Sequence, residues 1–302
     1  MSETTAGAVV FSILWRGVQS SVPLLLAANG ELVGQRAGLL NIGIEGAMLS
    51  GACAAAIMGW WTGSAFLGVV GGAAAGTVVG AVFACWTVIA RRDQIVAGLG
   101  LNLLALGLTG VAVQHADAWA ASRGVRVLPP PLAGSGGVDW LLPTSLGMIA
   151  LTHLLLGRSR IGLALRAVGE NPAAAEAAGV RVLVVRTAAA LFASMMAGLG
   201  GAYLSLEIAS GFQEQMTAGR GFLALSLVIF GRWSAPGVLA AALFFGCLDS
   251  VQVALQPALG RHVHVLYPAL LALPYVLALA ALAGLAGRVR PPAALAVPYD
   301  GA

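Results

Sequence analysis

The sequence contains no lysine; all 16 of its basic residues are arginine. That absence removes whole classes of chemistry. A phosphate-binding loop of the GxxxxGK[ST] type needs its lysine at the phosphates, and Schiff-base catalysis needs a lysine amine. If ATP drives this protein, another polypeptide must hydrolyse it. Charge of either sign is scarce as well: 9% of the 302 residues are charged, against about 25% in a soluble globular domain. Cys53, Cys85 and Cys247 are odd in number and widely spaced in apolar stretches. They read as packing residues, not as a disulfide framework. No HExxH, serine elbow or cluster of carboxylates is present, so nothing supports a membrane-embedded enzyme. No basic region precedes the first apolar stretch, so the first helix is expected to stay in the mature protein.

What fills the chain is apolar: 59% of residues are hydrophobic. Several uncharged stretches reach about 20 residues, enough to cross a hydrocarbon layer of ~30 Å. Continuous apolar runs disfavour an outer-membrane barrel, whose strands would alternate. The expectation is all-α: a polytopic transmembrane bundle forming one domain over residues 1–302. Spans are expected near 8–28, 39–60, 65–90, 94–114, 140–157, 182–208, 219–231, 236–256 and 265–286, with about eight to ten crossings in all. The stretch 219–231 is short for a full crossing, and 29–38 reads as a tight return or the middle of a broken helix. The formal net charge of +4 is spread over loops and makes no nucleic-acid footprint.

Arginine placement orients the bundle. Arg36, Arg91, Arg92, Arg158, Arg160, Arg166, Arg181, Arg186, Arg232, Arg288 and Arg290 fall on one side, which the positive-inside rule makes cytoplasmic. The loop at 158–181 and the C-terminus then face the cytoplasm, and 115–139 faces outward. Gly43, Ala47, Gly51, Ala55 and Gly59 recur every four positions along the second span, spacing that lets two backbones approach closely in lipid. Gly71, Ala75 and Val79 read as a weaker row of the same kind.

The loop RSRIGLALRAVGENPAAAEAAGVRV (158–182) carries the most information outside the spans. Asn171 before Pro172 suits a helix start, so a short helix is expected over 173–178, around Glu176 and stopped by Gly179. A second is expected over 161–168, ending at Gly169. On periodicity alone the loop is a solvated connector or a docking element for a cytoplasmic partner.

RAVGENPAAAEAAGV resembles the coupling loop of ABC importer permeases of the branch serving nucleosides, simple sugars and branched-chain amino acids. VGQRAGLLNIGIEGAMLSGA (33–52) resembles the ERSGVLNIGLEG signature of the nucleoside-type permeases, with Gly34-Gln35 in place of the usual pair before the arginine. QIVAGLGLNLLALGLT (94–109) and MTAGRGFLALSLVIFGRWSAPGVLAAALFFG (216–246) are similar to the same branch, in the same order. The resemblance implies a type II-like permease subunit of a bacterial ATP-driven importer in the plasma membrane, with nucleosides as favoured cargo. It also implies separate cytoplasmic ABC ATPases carrying ATP and magnesium, a second and different permease chain, and an extracytoplasmic binding protein. The permease itself would hold no cofactor or metal. ATPase coupling would fall to Gly169, Glu170, Asn171, Pro172, Glu176 and Gly179. A ribose-like sugar or a branched-chain amino acid is the alternative cargo. From another class, the alternative is a proton-coupled secondary transporter working through Glu45.

Single residues remain. Glu45 is the only acid between Arg36 and Arg91. A carboxylate at membrane depth is costly and should face the bundle or a watery cavity. Two readings stand side by side: Asn41 and Glu45 cap a helix restarting in the second span, or a break at 41–46 lines the substrate pathway. Asn102, in the apolar fourth span, reads as an interhelical hydrogen bond or as a pathway residue. Glu207 and Glu214 are expected at the outward end of the sixth span, with Arg220 paired to one of them. His262 and His264 lack further ligands for zinc. Trp60 and Trp61 read as interfacial anchors.

Overall fold

The computed structural model describes residues 3–122, 129–132, 139–255, 272, 276, 279–280 and 290–299. Every regular element among them is helical. In order they are α1 (Glu3–Arg36), α2 (Ile44–Thr62), α3 (Ala65–Ala84, prolonged by a π-helical turn Cys85–Ile89), α4 (Gln94–Ala121), α5 (Leu141–Arg158), α6 (Arg160–Glu170), α7 (Pro172–Ala177), α8 (Val182–Tyr203, prolonged by a π-helical turn Leu204–Ile208), α9 (Arg220–Phe230) and α10 (Ala235–Leu255). Six of these helical stretches are long and apolar enough to cross a membrane. The 19-residue α2 and the 11-residue α9 are not among the six. The span expected at 265–286 lies almost wholly outside the described residues, as do His262 and His264.

Caps mark the starts. Ser64 accepts from Leu67 N, Asp93 from Ile95 N and Val96 N, and Ser159 from Gly162 N, each satisfying amide hydrogens that the first helical turn leaves unpaired. Gly63, with φ +67°, closes α2 and lets the chain turn straight into α3.

Two expectations are corrected. The stretch 29–38 is neither a return nor a break, because α1 stays helical to Arg36 and the irregular chain is 37–43. The small-residue face of α3 is Gly68, Gly72, Gly76 and Gly80, not the row through Gly71. A Cβ on Gly76 would lie 2.3 Å from Ser194 O, and one on Gly72 2.8 Å from the Ala202 side chain, so α3 and α8 meet at their backbones. Gly71 instead packs on Met58. The expected row on α2 does work as a contact face: a Cβ on Gly51 would lie 2.4 Å from Gly198 O. In lipid, where burying apolar surface gives helices little reason to associate, such close packing is what holds them together. Helices α2, α3 and α8 therefore form one tight layer, against which α1 packs with α9 and α10. Cys53, Cys85 and Cys247 are all free.

The arginine-bearing ends converge. Arg36 Nε and Nη2 donate to Trp233 O at 3.0 and 2.6 Å, joining the end of α1 to the turn between α9 and α10. At the opposite end Trp60 meets Trp119 edge-on at 5.5 Å, and the Tyr203 hydroxyl donates to Asp139 Oδ2 at 2.6 Å.

Candidate functional site

Two irregular stretches enter the bundle, and the polar side chains of the surrounding helices meet there. Backbone N–H and C=O groups at membrane depth must find partners inside the protein. The first stretch, 37–43, is buried or half-buried throughout. Its groups are satisfied by three side chains, one from α1 and two from α4. Asn41 N donates to Glu31 Oε1 at 3.2 Å from α1, and Leu40 N to Gln94 Oε1 at 2.7 Å from the start of α4. Asn102 of α4 serves both edges of the restart, accepting from Gly46 N at 2.8 Å and donating to Ile42 O at 3.0 Å. Asn41 itself points at α8, donating to Ser194 Oγ at 2.9 Å. Gln35 donates to Glu31 Oε1 and accepts from Trp233 Nε1 at 2.7 Å.

The second stretch, 209–219, leads into α9. Eleven residues make a helix of only ~16 Å, about half of a ~30 Å hydrocarbon layer. Because its far end lies beside Arg36, its first turn starts part of the way along the bundle. There Glu45 takes the place of a local cap. Oε1 accepts from Gly219 N at 2.8 Å and Oε2 from Gly221 N at 2.6 Å, a charge-assisted arrangement on the positive end of the helix. Glycine is required at both positions. Gly219 has φ +82°, and a Cβ on Gly221 would lie 2.6 Å from Glu45 Cα. The helix does restart at Ile44 with Glu45 in its first turn, but the expectation that Asn41 and Glu45 cap it is corrected. The residue at the start of α2 is Gly43, with no side-chain cap, and Glu45 caps α9.

Beside that turn lies a cavity of about 620 Å³ between α1, α9, α10 and the π-helical turn after α8. Arg16, Gln19, Ser20, Glu207, Arg220, Asp249, Ser250 and Gln252 line it, so two cationic and two acidic side chains face it. Its size lies within the range of roughly 300–1,000 Å³ usual for small-molecule sites. Arg220 Nη2 stands 3.8 Å from Asp249 Oδ2, which corrects the expected pairing with Glu207 or Glu214. Glu214 is instead near Gly110 of α4, beside a separate cavity of about 300 Å³.

At the arginine-rich end, α6 and α7 meet at Asn171, whose side chain accepts from Ala174 N at 3.0 Å, with Pro172 opening α7. Gly179, φ +87°, follows α7 and turns the chain towards α8. Gly169 touches the end of α1 so closely that a Cβ would lie 2.2 Å from Arg36 O.

Asn41, Glu45 and Asn102 therefore converge on one region, and Gly169 to Gly179 on another. Sequence reasoning missed Glu31, Gln35, Gln94 and Asp249. Glu31 is fully buried, but a first span ending at 28 leaves it in a presumed loop. Gln94 sits at a helix start, where polar residues are ordinary. The signal available was the recurrence of lone polar residues within apolar runs, each of which needs a partner.

A model of the family described as "Branched-chain amino acid transport system / permease component" matches residues 13–279. The guanosine ABC transporter permease protein NupQ of Bacillus subtilis (strain 168) is 33% identical over 303 residues, covering 92% of this chain and 93% of its own. The putative glucose ABC transporter permease protein TsgC13 of Haloferax volcanii is 35% identical over 256 residues, 79% of this chain and 76% of its own. The nucleoside ABC transporter permease protein NupC of Lactococcus lactis subsp. cremoris is 31% identical over 251 residues, 77% and 79% respectively. No solved structure matches the chain.

Proposed function

We propose a specific role for this chain, which belongs to the family of permease components of branched-chain amino acid transport systems: it carries a nucleoside across the bacterial plasma membrane as part of an ATP-driven importer. The chain is a multi-pass ABC importer permease. The nucleoside reading is supported by similarity along nearly the whole chain to a guanosine permease, and by a second nucleoside permease. Similarity to the putative glucose permease supports a sugar as the second reading.

The observation that carries the pathway is the 620 Å³ polar cavity at the start of the half-helix α9. Its two positive and two negative side chains balance, which suits an uncharged cargo rich in hydroxyls and ring nitrogens. Glu45 fixes the α9 turn that presents Arg220 to this cavity. Asn41 and Asn102 keep the neighbouring break in place. The arginine-rich end is cytoplasmic, together with the segment 290–299. There the elements Gly169–Gly179 receive the partner ATPase, which holds ATP and magnesium. ATP-driven closure of the ATPase pair moves α6 and α7, and the bundle changes the side on which the cavity opens. The partners bring this about only by binding the two states unequally.

The test is uptake by proteoliposomes carrying this chain, its companion permease, the ATPase and the binding protein. Labelled guanosine is expected to enter, and glucose to be excluded. Inactivating the ATPase abolishes uptake, whereas collapsing a proton gradient with ATP maintained leaves it intact. Uptake of glucose with exclusion of every nucleoside would replace the cargo by the sugar.

A further inference from the structure

The segment 290–299 does not merely leave the bundle; it runs across the elements where coupling takes place. Within seven residues it bonds to four of them. Ala293 N donates to Glu170 Oε2 at 3.3 Å and Ala294 N to Gly169 O at 2.9 Å, both at the end of α6. Ala296 N donates to Gly38 O at 3.1 Å, in the turn that follows α1. Val297 O accepts from Arg186 Nη1 of α8 at 2.9 Å, and the Tyr299 hydroxyl donates to Glu176 Oε2 of α7. The Tyr299 ring packs against a small apolar cluster of Val168, Ala175 and Val182.

Arg186 marks this as a constructed contact. It is 2% exposed, a costly place for a guanidinium with no carboxylate bonded to it among the described residues, and it gives a donor to a backbone carbonyl of the segment. Even with the segment in place, α7 is a six-residue helix that buries one side chain, Ala175, and Tyr299 is packed against the cluster that contains it. Such a helix, joined to α6 through Asn171, has little of its own to hold it against an applied load. The segment fastens it. Gly38, the anchor on the other side, is the second residue of the stretch 37–43 that runs on to Glu45 and the α9 turn.

We propose that residues 293–299 are a positioning strap for energy coupling. They lock α6 and α7 to the Gly38 turn, so that displacement of α7 is passed into the 37–43 break and is not absorbed by bending at Asn171. This rests on the reading of the chain as an ABC permease with its ATPase at α6 and α7.

The experiment compares the full chain, a chain shortened to residues 1–289, and Tyr299→Phe, each reconstituted with its partner subunits. The readouts are ATPase retained on the purified complex, ATP hydrolysed, and solute moved. Their ratio, ATP consumed per solute transported, is insensitive to how much protein folds. In the shortened chain the ATPase stays bound and the ratio rises at least about tenfold. In Tyr299→Phe, which keeps the ring packing and removes the hydrogen bond to Glu176, it rises about fivefold. An unchanged ratio in both variants overturns the strap. A shortened chain that yields less complex while the complex that forms has the wild-type ratio overturns it too, because the segment then serves folding alone. Failure of the permease reading is separate: the full chain itself would show no ATP-dependent uptake.

Discussion

Glu45 sits in the first turn of α2 yet stabilises the first turn of α9, with one carboxylate oxygen on Gly219 N at 2.8 Å and the other on Gly221 N at 2.6 Å. Two helices more than 170 positions apart in sequence are thereby locked end to end. Glu45→Gln keeps one acceptor and turns an N–H towards a backbone N–H at the other. The chain is expected to reach the membrane and assemble, while uptake falls about tenfold through loss of a charge-assisted bond. Uptake assays on complexes quantified by size-exclusion chromatography check this. Normal uptake would show that the second bond is dispensable.

Asn102 has a different task, pairing one donor and one acceptor at the edges of the 37–43 break. Asn102→Leu strands both, and each unpaired buried group costs about 1–3 kcal/mol. Asn102→Asp retains the acceptor for Gly46 N and loses the donor to Ile42 O. Thermal unfolding in detergent should therefore rank wild type above Asp and Asp above Leu. Equal melting of wild type and the leucine variant would mean the break finds other partners.

Both side chains illustrate what was legible beforehand. Lone polar residues in apolar runs announced that something at membrane depth required them, and Asn41, Glu45 and Asn102 do meet at the irregular chain. Their partners were not legible. Glu45 reaches α9 through tertiary folding, and no local spacing encodes a cap donated by another helix. Similarly, glycine every four residues identified the packing face of α2. On α3 the pair Gly71-Gly72 allowed two registers one residue apart, and only the neighbouring α8 selects Gly72. The position of Asp249 opposite Arg220 depends on how α10 lies against α9, which periodicity leaves open.

Glycine contacts give a contrast within one residue type. Gly51→Ala would drive a Cβ to 2.4 Å from Gly198 O, whereas Gly100→Ala meets no atom within 4 Å. The first is expected to destabilise by about 1–3 kcal/mol or more through overpacking. The second is expected to be neutral or to gain up to ~1 kcal/mol from helix propensity. Yield and melting temperature of the two variants decide it. Equal behaviour would contradict the backbone contact between α2 and α8.

The loose pair Arg220–Asp249, 3.8 Å apart and partly exposed, can be tested by exchange. Arg220→Asp and Asp249→Arg singly place like charges together at the cavity and should each lower uptake severely. The double exchange restores the attraction and is expected to recover a substantial part of it. Failure of the double variant, with each chain assembled, would mean that Arg220 or Asp249 acts on cargo by its own identity and not through the pair.

The glycine-lined layer of α2, α3 and α8 carries a mechanical consequence. Helices whose backbones already touch have no slack between them, and close-packed interiors pass displacement on without absorbing it. That trio must travel as a slab together with α1 and α10, since a Cβ on Gly30 would lie 2.7 Å from Ala193 O and one on Gly246 2.4 Å from Gly17 O. Whatever gate the importer has must hinge along the slab's borders, at the two irregular stretches where Glu31, Gln94, Asn102 and Glu45 hold hydrogen bonds that can be exchanged. The stiffness of one part of the bundle thus determines which joints of the other are free to turn.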